Sequence, residues 1–148
     1  MTVTQALPKG FHTVTPFLIV NNVEHFIDFA KRAFDAEERS RLAMPDGSIM
    51  QASIKIGDSV IMLGGSTMSA PTTSCIYLYV DDSDAVYKQA ISAGATSIQE
   101  PTDQIYGDRT AGVKDTAGNQ WWVATHWEDV PEDELRERAN RLYAGPRD

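Results

Sequence analysis

The sequence predicts an α+β fold built from two tandem β-α-β-β-β units and a final helix. Three observations carry that prediction. Segments 60 residues apart correspond in order and type: Ile19-Val20 falls on Tyr79-Val80, Asn21-Asn22 on Asp81-Asp82, Ala30 and Ala33 on Ala90 and Ala93, and Val60 to Leu63 on Gln120 to Val123. This reads as an internal duplication. Helical periodicity occurs once in each unit, after a strand and before a run of alternating segments. Finally, Tyr106 to His126 reads as a strand from Arg109 to Lys114, a tight turn, and a strand from Gln120 to His126. Gly118 supplies the positive φ that this turn needs.

Alternate residues of a strand point to opposite faces. Trp121, Val123 and Thr125 therefore share one face of the last strand, and Trp122, Ala124 and His126 the other. Adjacent tryptophans, one per face, predict a sheet buried on one side and lining something apolar on the other.

The elements follow in order. Residues 1–11 read as a lead-in arm and 13–20, TVTPFLIV, as a strand in which Pro16 marks an edge or bulge. Asn21 and Asn22 are candidate caps for a helix with Val23, Phe26, Ile27, Ala30 and Phe34 on one face. A strand near 38–44 meets Pro45-Asp46-Gly47, a hairpin signal, and is followed by strands at 49–56 and 59–63. Small and breaker residues make 64–74 a loop. The second unit then gives a strand at 74–80, a helix from about Asp81–Asp84 to its stop at Gly94, a strand near 96–99 and a long loop from Pro101 to Gly107. The last helix, Pro131 to Leu142, places Leu135, Ala139 and Leu142 on one stripe, which asks for a partner surface. The tail, 145–148, is expected to be loose.

Composition narrows the function. A chain of 148 residues with 42% hydrophobic content supports one globular domain. No apolar run approaches the roughly 18 residues that cross a membrane. The N-terminus lacks a basic region followed by an apolar one, so no signal peptide is expected. The single Cys75 has no disulfide partner within the chain, and a cytoplasmic location is the expectation. A net charge of −8 argues against nucleic-acid and anionic-membrane partners and mildly favours a neutral or cationic ligand.

Several stretches then carry a family resemblance. They are HTVTPFLIV from His12, GDSVIML at 57–63, YLYVDD at 77–82, AGAT at 93–96, the residues GDR, D, G, W and ATH spread from Gly107 to His126, and EDVPEDELRERA from Glu128. With them the chain resembles the vicinal oxygen chelate superfamily, which includes glyoxalase I, extradiol dioxygenases, fosfomycin-resistance enzymes and bleomycin-resistance proteins. Within it, the chain looks most like the PhnB-like branch. The resemblance implies a single domain over 1–148, with modules at about 12–65 and 74–127 and a C-terminal helix at about 131–143. Each module would supply half of a cupped mixed sheet with helices on the outer face, and the protein would be a homodimer.

Metal enzymes of the superfamily carry His, Gln or Glu at four equivalent positions, one on the first and one on the last strand of each module. Those positions here are Thr15, Cys75, Met62 and Trp122. Of these only Cys75 would bind a divalent metal strongly, and metal sites need three or four N, O or S ligands. No metal and no cofactor are expected. Gln51 stands where many PhnB-like members have His, a further departure.

Strand alternation turns Thr15, Phe17, Gln51, Ser53 and Met62 of the first module into the cup. From the second module it turns in Cys75, Tyr77, Tyr79, Trp122 and His126, while Val14, Leu18, Ile54, Trp121 and Val123 suit the helix side. An aromatic cup with few polar groups suits a flat or apolar organic ligand. Each residue has a plainer reading. Trp122 either stacks on a ligand or fills the cup. Tyr77 and Tyr79 are ligand contacts or half-buried structural tyrosines. Cys75 is a small buried hydrophobe or, with a base nearby, a nucleophile. His126 is a titrating group or a satisfied strand-end histidine. Arg109, placed beside the cup mouth, binds a carboxylate or phosphate, or pairs with Asp108 or Asp115. Tyr106 is a lid or an ordinary loop aromatic.

Three functions fit these features. One is metal-independent binding of a small aromatic or cationic molecule. A second is a lyase, isomerase or dioxygenase-type enzyme acting on a small carbonyl or enol substrate, with Gln51, Cys75, Tyr77 or His126 as candidates for proton transfer or nucleophilic attack and none singled out as catalytic. The third is a structural dimer whose cup is filled by its own side chains.

Overall fold

Module one of the computed structural model runs β1 (Phe17–Val20), α1 (Val23–Phe34), β2 (Glu37–Ala43), β3 (Ile49–Ile56) and β4 (Ser59–Gly65). Module two runs β5 (Cys75–Tyr79), α2 (Ser83–Ser92), β6 (Thr96–Asp103), β7 (Asp108–Lys114) and β8 (Gln120–His126), and α3 (Glu132–Tyr143) follows. The structure describes residues 6–66 and 70–144. The expected loose tail at 145–148, the first five residues of the lead-in and positions 67–69 of the loop lie outside the described residues. No described helix is long and apolar enough to cross a membrane.

Each module forms one four-stranded mixed sheet, ordered β1-β4-β3-β2 and β5-β8-β7-β6. The first and last strands of each pair in parallel, in the same register: Phe17 stands beside Met62 and Tyr77 beside Trp122. Both helices are capped by the same device, 60 residues apart. The Asn22 side chain accepts from His25 N at 3.0 Å, and that of Asp82 from Ala85 N at 3.1 Å.

The helix sides of the two sheets share a core. Leu18, Ile54 and Leu63 of the first sheet and Val113, Trp121 and Val123 of the second are all buried within it. Trp121, fully buried, meets Phe34 at 4.6 Å and Phe26 at 6.3 Å between ring centroids, so α1 of module one covers the sheet of module two. Gln89 of α2 clips the helices together by donating to Arg32 O and Asp35 Oδ1. The opposite face of each sheet is open, with Phe17 and Tyr77 each 43% exposed.

Several expectations change. β1 starts at Phe17, not at 13, because Pro16 brings no N–H to the ladder; its carbonyl accepts from Met62 N at the strand's edge. Thr15 consequently lies before the strand, its hydroxyl bonded to His12 O, and Val14 is 83% exposed instead of packing under a helix. β6 continues through Pro101 to Asp103, shortening the expected loop, since it is an edge strand with register shifts that tolerate proline. In α3 no residue is buried. The helix is held instead by Arg138, which donates to Ile105 O and pairs with Glu128 and Glu134.

Candidate functional site

On the open face of the second sheet, large flat side chains lie over small ones. Gly112 stands beside Trp122 across the β7–β8 pair. A Cβ added at Gly112 would meet Cζ3, Cη2 and Cε3 of Trp122 at 2.8–3.0 Å. The six-membered ring thus rests on bare backbone, a close approach that only glycine permits, and the indole stays half-buried. Its Nε1 donates to Gln120 Oε1 at 3.3 Å.

One step along the sheet, Tyr77 and Tyr79 reach from β5 to Asp108 on β7. Since β8 lies between those strands, both side chains cross it over Ala124, which has no exposed surface. The first module repeats the pattern 60 residues earlier: Phe17 and Ile19 cover Gly64, where an added Cβ would meet both at 3.0 Å. The tyrosine rings stand 5.2 Å apart, edge to face at 64°.

Asp108 is the polar centre of this end. It is 2% exposed and directly opposite His126 in the ladder. Its Oδ2 accepts from the Tyr77 hydroxyl at 2.7 Å and from that of Tyr79 at 3.2 Å, and its Oδ1 lies 2.6 Å from His126 Nδ1. Burial pushes this carboxyl upward, but the hydrogen bonds from Tyr77, His126 and Tyr79 outweigh it and hold the group below 3.8. Burial, and then the carboxylate, drive the Tyr77 hydroxyl well above the ordinary phenol range, so it remains a donor. His126 Nε2 faces Asp129 Oδ1 at 2.6 Å. A carboxylate at each nitrogen favours the doubly protonated, cationic ring. Asp129 and then Asp108 raise it above 6.5 against a smaller opposing effect of burial.

The structure sorts the expected site residues. Tyr77, Tyr79, Trp122 and His126 come together on one face, with Tyr106, 41% exposed, beside Tyr77, and with Cys75 exposed at the start of β5. Phe17, Gln51 and Met62 lie on the open face of the other sheet, where a hollow of about 170 Å³ is lined by Phe11, Leu42, Gln51 and Met62. Ser53 is tied there by a 2.7 Å bond to the Ser40 hydroxyl. Arg109 is not at the cup mouth. It follows Asp108 on β7, so it projects to the helix side, where it pairs with Asp84 at 3.1 Å and Asp103 at 3.2 Å rather than with Asp108 or Asp115. Asp115 instead accepts from Ala117 N, Asn119 N and Trp121 Nε1 in the β7–β8 turn.

Sequence reasoning missed Asp108 and Asp129 as partners of His126, and Gly112 as the seat of Trp122. The signal for Asp108 and Gly112 lay in the hairpin: pairing outward from the turn puts them opposite His126 and Trp122.

The donors at the superfamily's four metal positions do not fit a divalent metal. Thr15 is off the strand with its hydroxyl engaged, Met62 offers a thioether, Trp122 an indole without a lone pair to give, and the exposed Cys75 is left as a single thiol donor. Among the described residues no three His, Cys, Asp or Glu side chains converge as a metal would require. A cleft of about 870 Å³ runs between the modules along the outer edge of β5 and is rimmed by Asp35, Asp58, Asp81 and Asp82.

Comparison with known proteins agrees with this architecture. An uncharacterised protein of Mycobacterium bovis is 34% identical over 135 residues, covering 83% of this chain and 89% of that one. Among solved structures, TioX from Micromonospora sp. ML1 matches with a TM-score of 0.69 at 21% identity, over 78% of this chain and 98% of that one. A PhnB protein from Bacillus cereus matches with a TM-score of 0.64 at 16% identity, over 77% and 99%. At these identities the solved structures speak for the fold alone. The family model for the glyoxalase/bleomycin resistance protein/dioxygenase superfamily matches residues 10–123, and to that superfamily the chain belongs.

Proposed function

We propose that this protein binds a small, flat aromatic or cationic organic molecule without a metal, on the open aromatic face of module two. The observation that carries this reading is Trp122 lying on Gly112: the glycine lets the indole lie flat with its outer side available for stacking. The acidic net charge of −8 favours a cation over an anion.

A second copy of the chain would complete the groove. Among the described residues β1 and β5 each pair on one side only, so each leaves a free edge. In β5 the backbone of Ser74 and Val80 serves β8, which by alternation leaves the N–H and C=O of Cys75, Tyr77 and Tyr79 pointing outward. The sequence CIYLY carries none of the charges or prolines that protect an exposed edge. Catalysis by proton transfer is less well supported, since both nitrogens of His126 and the hydroxyl of Tyr77 are already committed.

The test is a titration with acridine orange, a flat aromatic cation, followed by tryptophan fluorescence with and without EDTA. Saturable quenching that survives the chelator and is lost in Trp122→Phe supports the reading. With Trp127 replaced by Phe in both proteins, quenching that requires an added divalent metal, or that persists undiminished in Trp122→Phe, defeats it. Sedimentation of the same protein checks the dimer.

A further inference from the structure

The tyrosine end of this face has an unusual combination of charge and hydrogen bonding. Tyr77 and Tyr79 form a corner of two rings, 43% and 63% exposed, with Tyr106 beside it. Both phenols donate to one carboxylate oxygen, which draws electron density toward the rings and strengthens their negative faces. Two carboxylates, Asp108 and Asp129, flank the single imidazole of His126, so the corner sits in a net negative field with the ring either neutral or protonated. Yet the buried Asp108 has a donor from Tyr77, Tyr79 and His126 and presents no accessible acceptor to a guest. Arg109 and Arg138, on the neighbouring β7 and α3, are each committed to two carboxylates.

A primary ammonium is strongly hydrated, and the buried Asp108 offers it no accessible carboxylate oxygen inside the corner to replace that water. A quaternary ammonium has no N–H, is weakly hydrated, and is attracted to ring faces. The geometry points to an aryl-bearing quaternary ammonium as the class of ligand, its cationic head in the Tyr77–Tyr79 corner and its aryl group on Trp122, the residue beside Tyr77 in the sheet. This deepens the binding function proposed above and rests on it.

The experiment compares benzyltrimethylammonium, benzylammonium and benzyl alcohol on the full chain at one pH and ionic strength. It reads tryptophan quenching together with amide and indole N–H shifts at Gly112 and Trp122. The quaternary cation is expected to bind about ten-fold more tightly than the other two, with saturation transfer from tyrosine ring protons to its N-methyl groups. Tyr79→Leu should bring the three probes to within about two-fold of one another, whereas Tyr79→Phe, which keeps the ring and loses the bond to Asp108, should retain part of the preference. Equal affinity for all three, tighter binding of benzylammonium, or full preference in Tyr79→Leu overturns this inference while leaving the stacking site intact. If no probe quenches Trp122 or shifts Gly112, both the inference and the function it rests on fail.

Discussion

Replacing Gly112 with alanine separates the platform from the fold. The added methyl would stand 2.8–3.0 Å from three ring carbons of Trp122. Carbon–carbon contacts settle at about 3.5–4.0 Å, so the ring must rise by about 0.5–1.2 Å. Overpacking of that kind costs about 1–3 kcal/mol where nothing can move. Here the half-exposed indole can swing toward solvent, and removing a strand glycine returns about 0.5–1 kcal/mol. The net change in stability should therefore stay within about 1 kcal/mol. Binding suffers more, because a tilted indole loses stacking worth about 0.5–1.5 kcal/mol, or roughly two- to twelve-fold in affinity. The assay is acridine orange titration of Gly112→Ala in a Trp127→Phe background, which removes the exposed indole and leaves Trp121 buried, paired with urea unfolding. Unchanged affinity with unchanged Trp122 emission would refute the reasoning, as would destabilisation beyond about 2 kcal/mol.

Three further predictions follow from other contacts. His126 is raised above 6.5 by Asp129 and Asp108. Its contribution to stability is therefore complete below that value and is lost as pH rises through the folded-state pKa. The melting difference between the native protein and His126→Gln should shrink from mildly acidic to alkaline pH, and a difference that grows would contradict the imidazolium assignment. Asp115→Ala leaves Trp121 Nε1 buried without its 2.9 Å acceptor and frees two backbone donors of the turn. It should cost at least about 2 kcal/mol in urea unfolding, and a loss below about 1 kcal/mol would show that the network is dispensable. Arg138→Ala removes the contacts that fasten α3 to Ile105 and Glu128. Amides of α3 should then exchange at rates approaching those of an isolated helix while core protection is retained; unaltered protection in α3 would mean that another contact holds it.

Much of the fold was legible because it rests on two periodicities. The 60-residue offset placed both helix caps, and a period of two put Trp121 inside and Trp122 outside without knowledge of the partner strands. What required the structure was register across strands. Closeness in sequence to Gly107 and Asp108 places Arg109 beside the cup mouth, but one step along a strand reverses the face, and Asp84 lies on the other side. Asp108 read as a partner for Arg109, while its ladder position sets it against His126. The 60-residue offset sets Thr15 where the second module has Cys75. Proline at 16 ends the strand before that position, so the duplication fails locally where one module has Pro16 and the other Ile76.

The placement of Phe26 and Phe34 against Trp121 makes each module half of a single folding unit. Severed in the 70–73 loop, module two would expose a bare tryptophan, and module one would expose the aromatic side of its own helix. The repeat is thus an obligate pair joined by a tether, and an unfused precursor of one module's length would have had to meet a second copy through these same helices. Fusion replaced a concentration-dependent encounter with a permanent one. It also released the copies from identity, so that Phe17 and Met62 stand in one half where Tyr77 and Trp122 stand in the other.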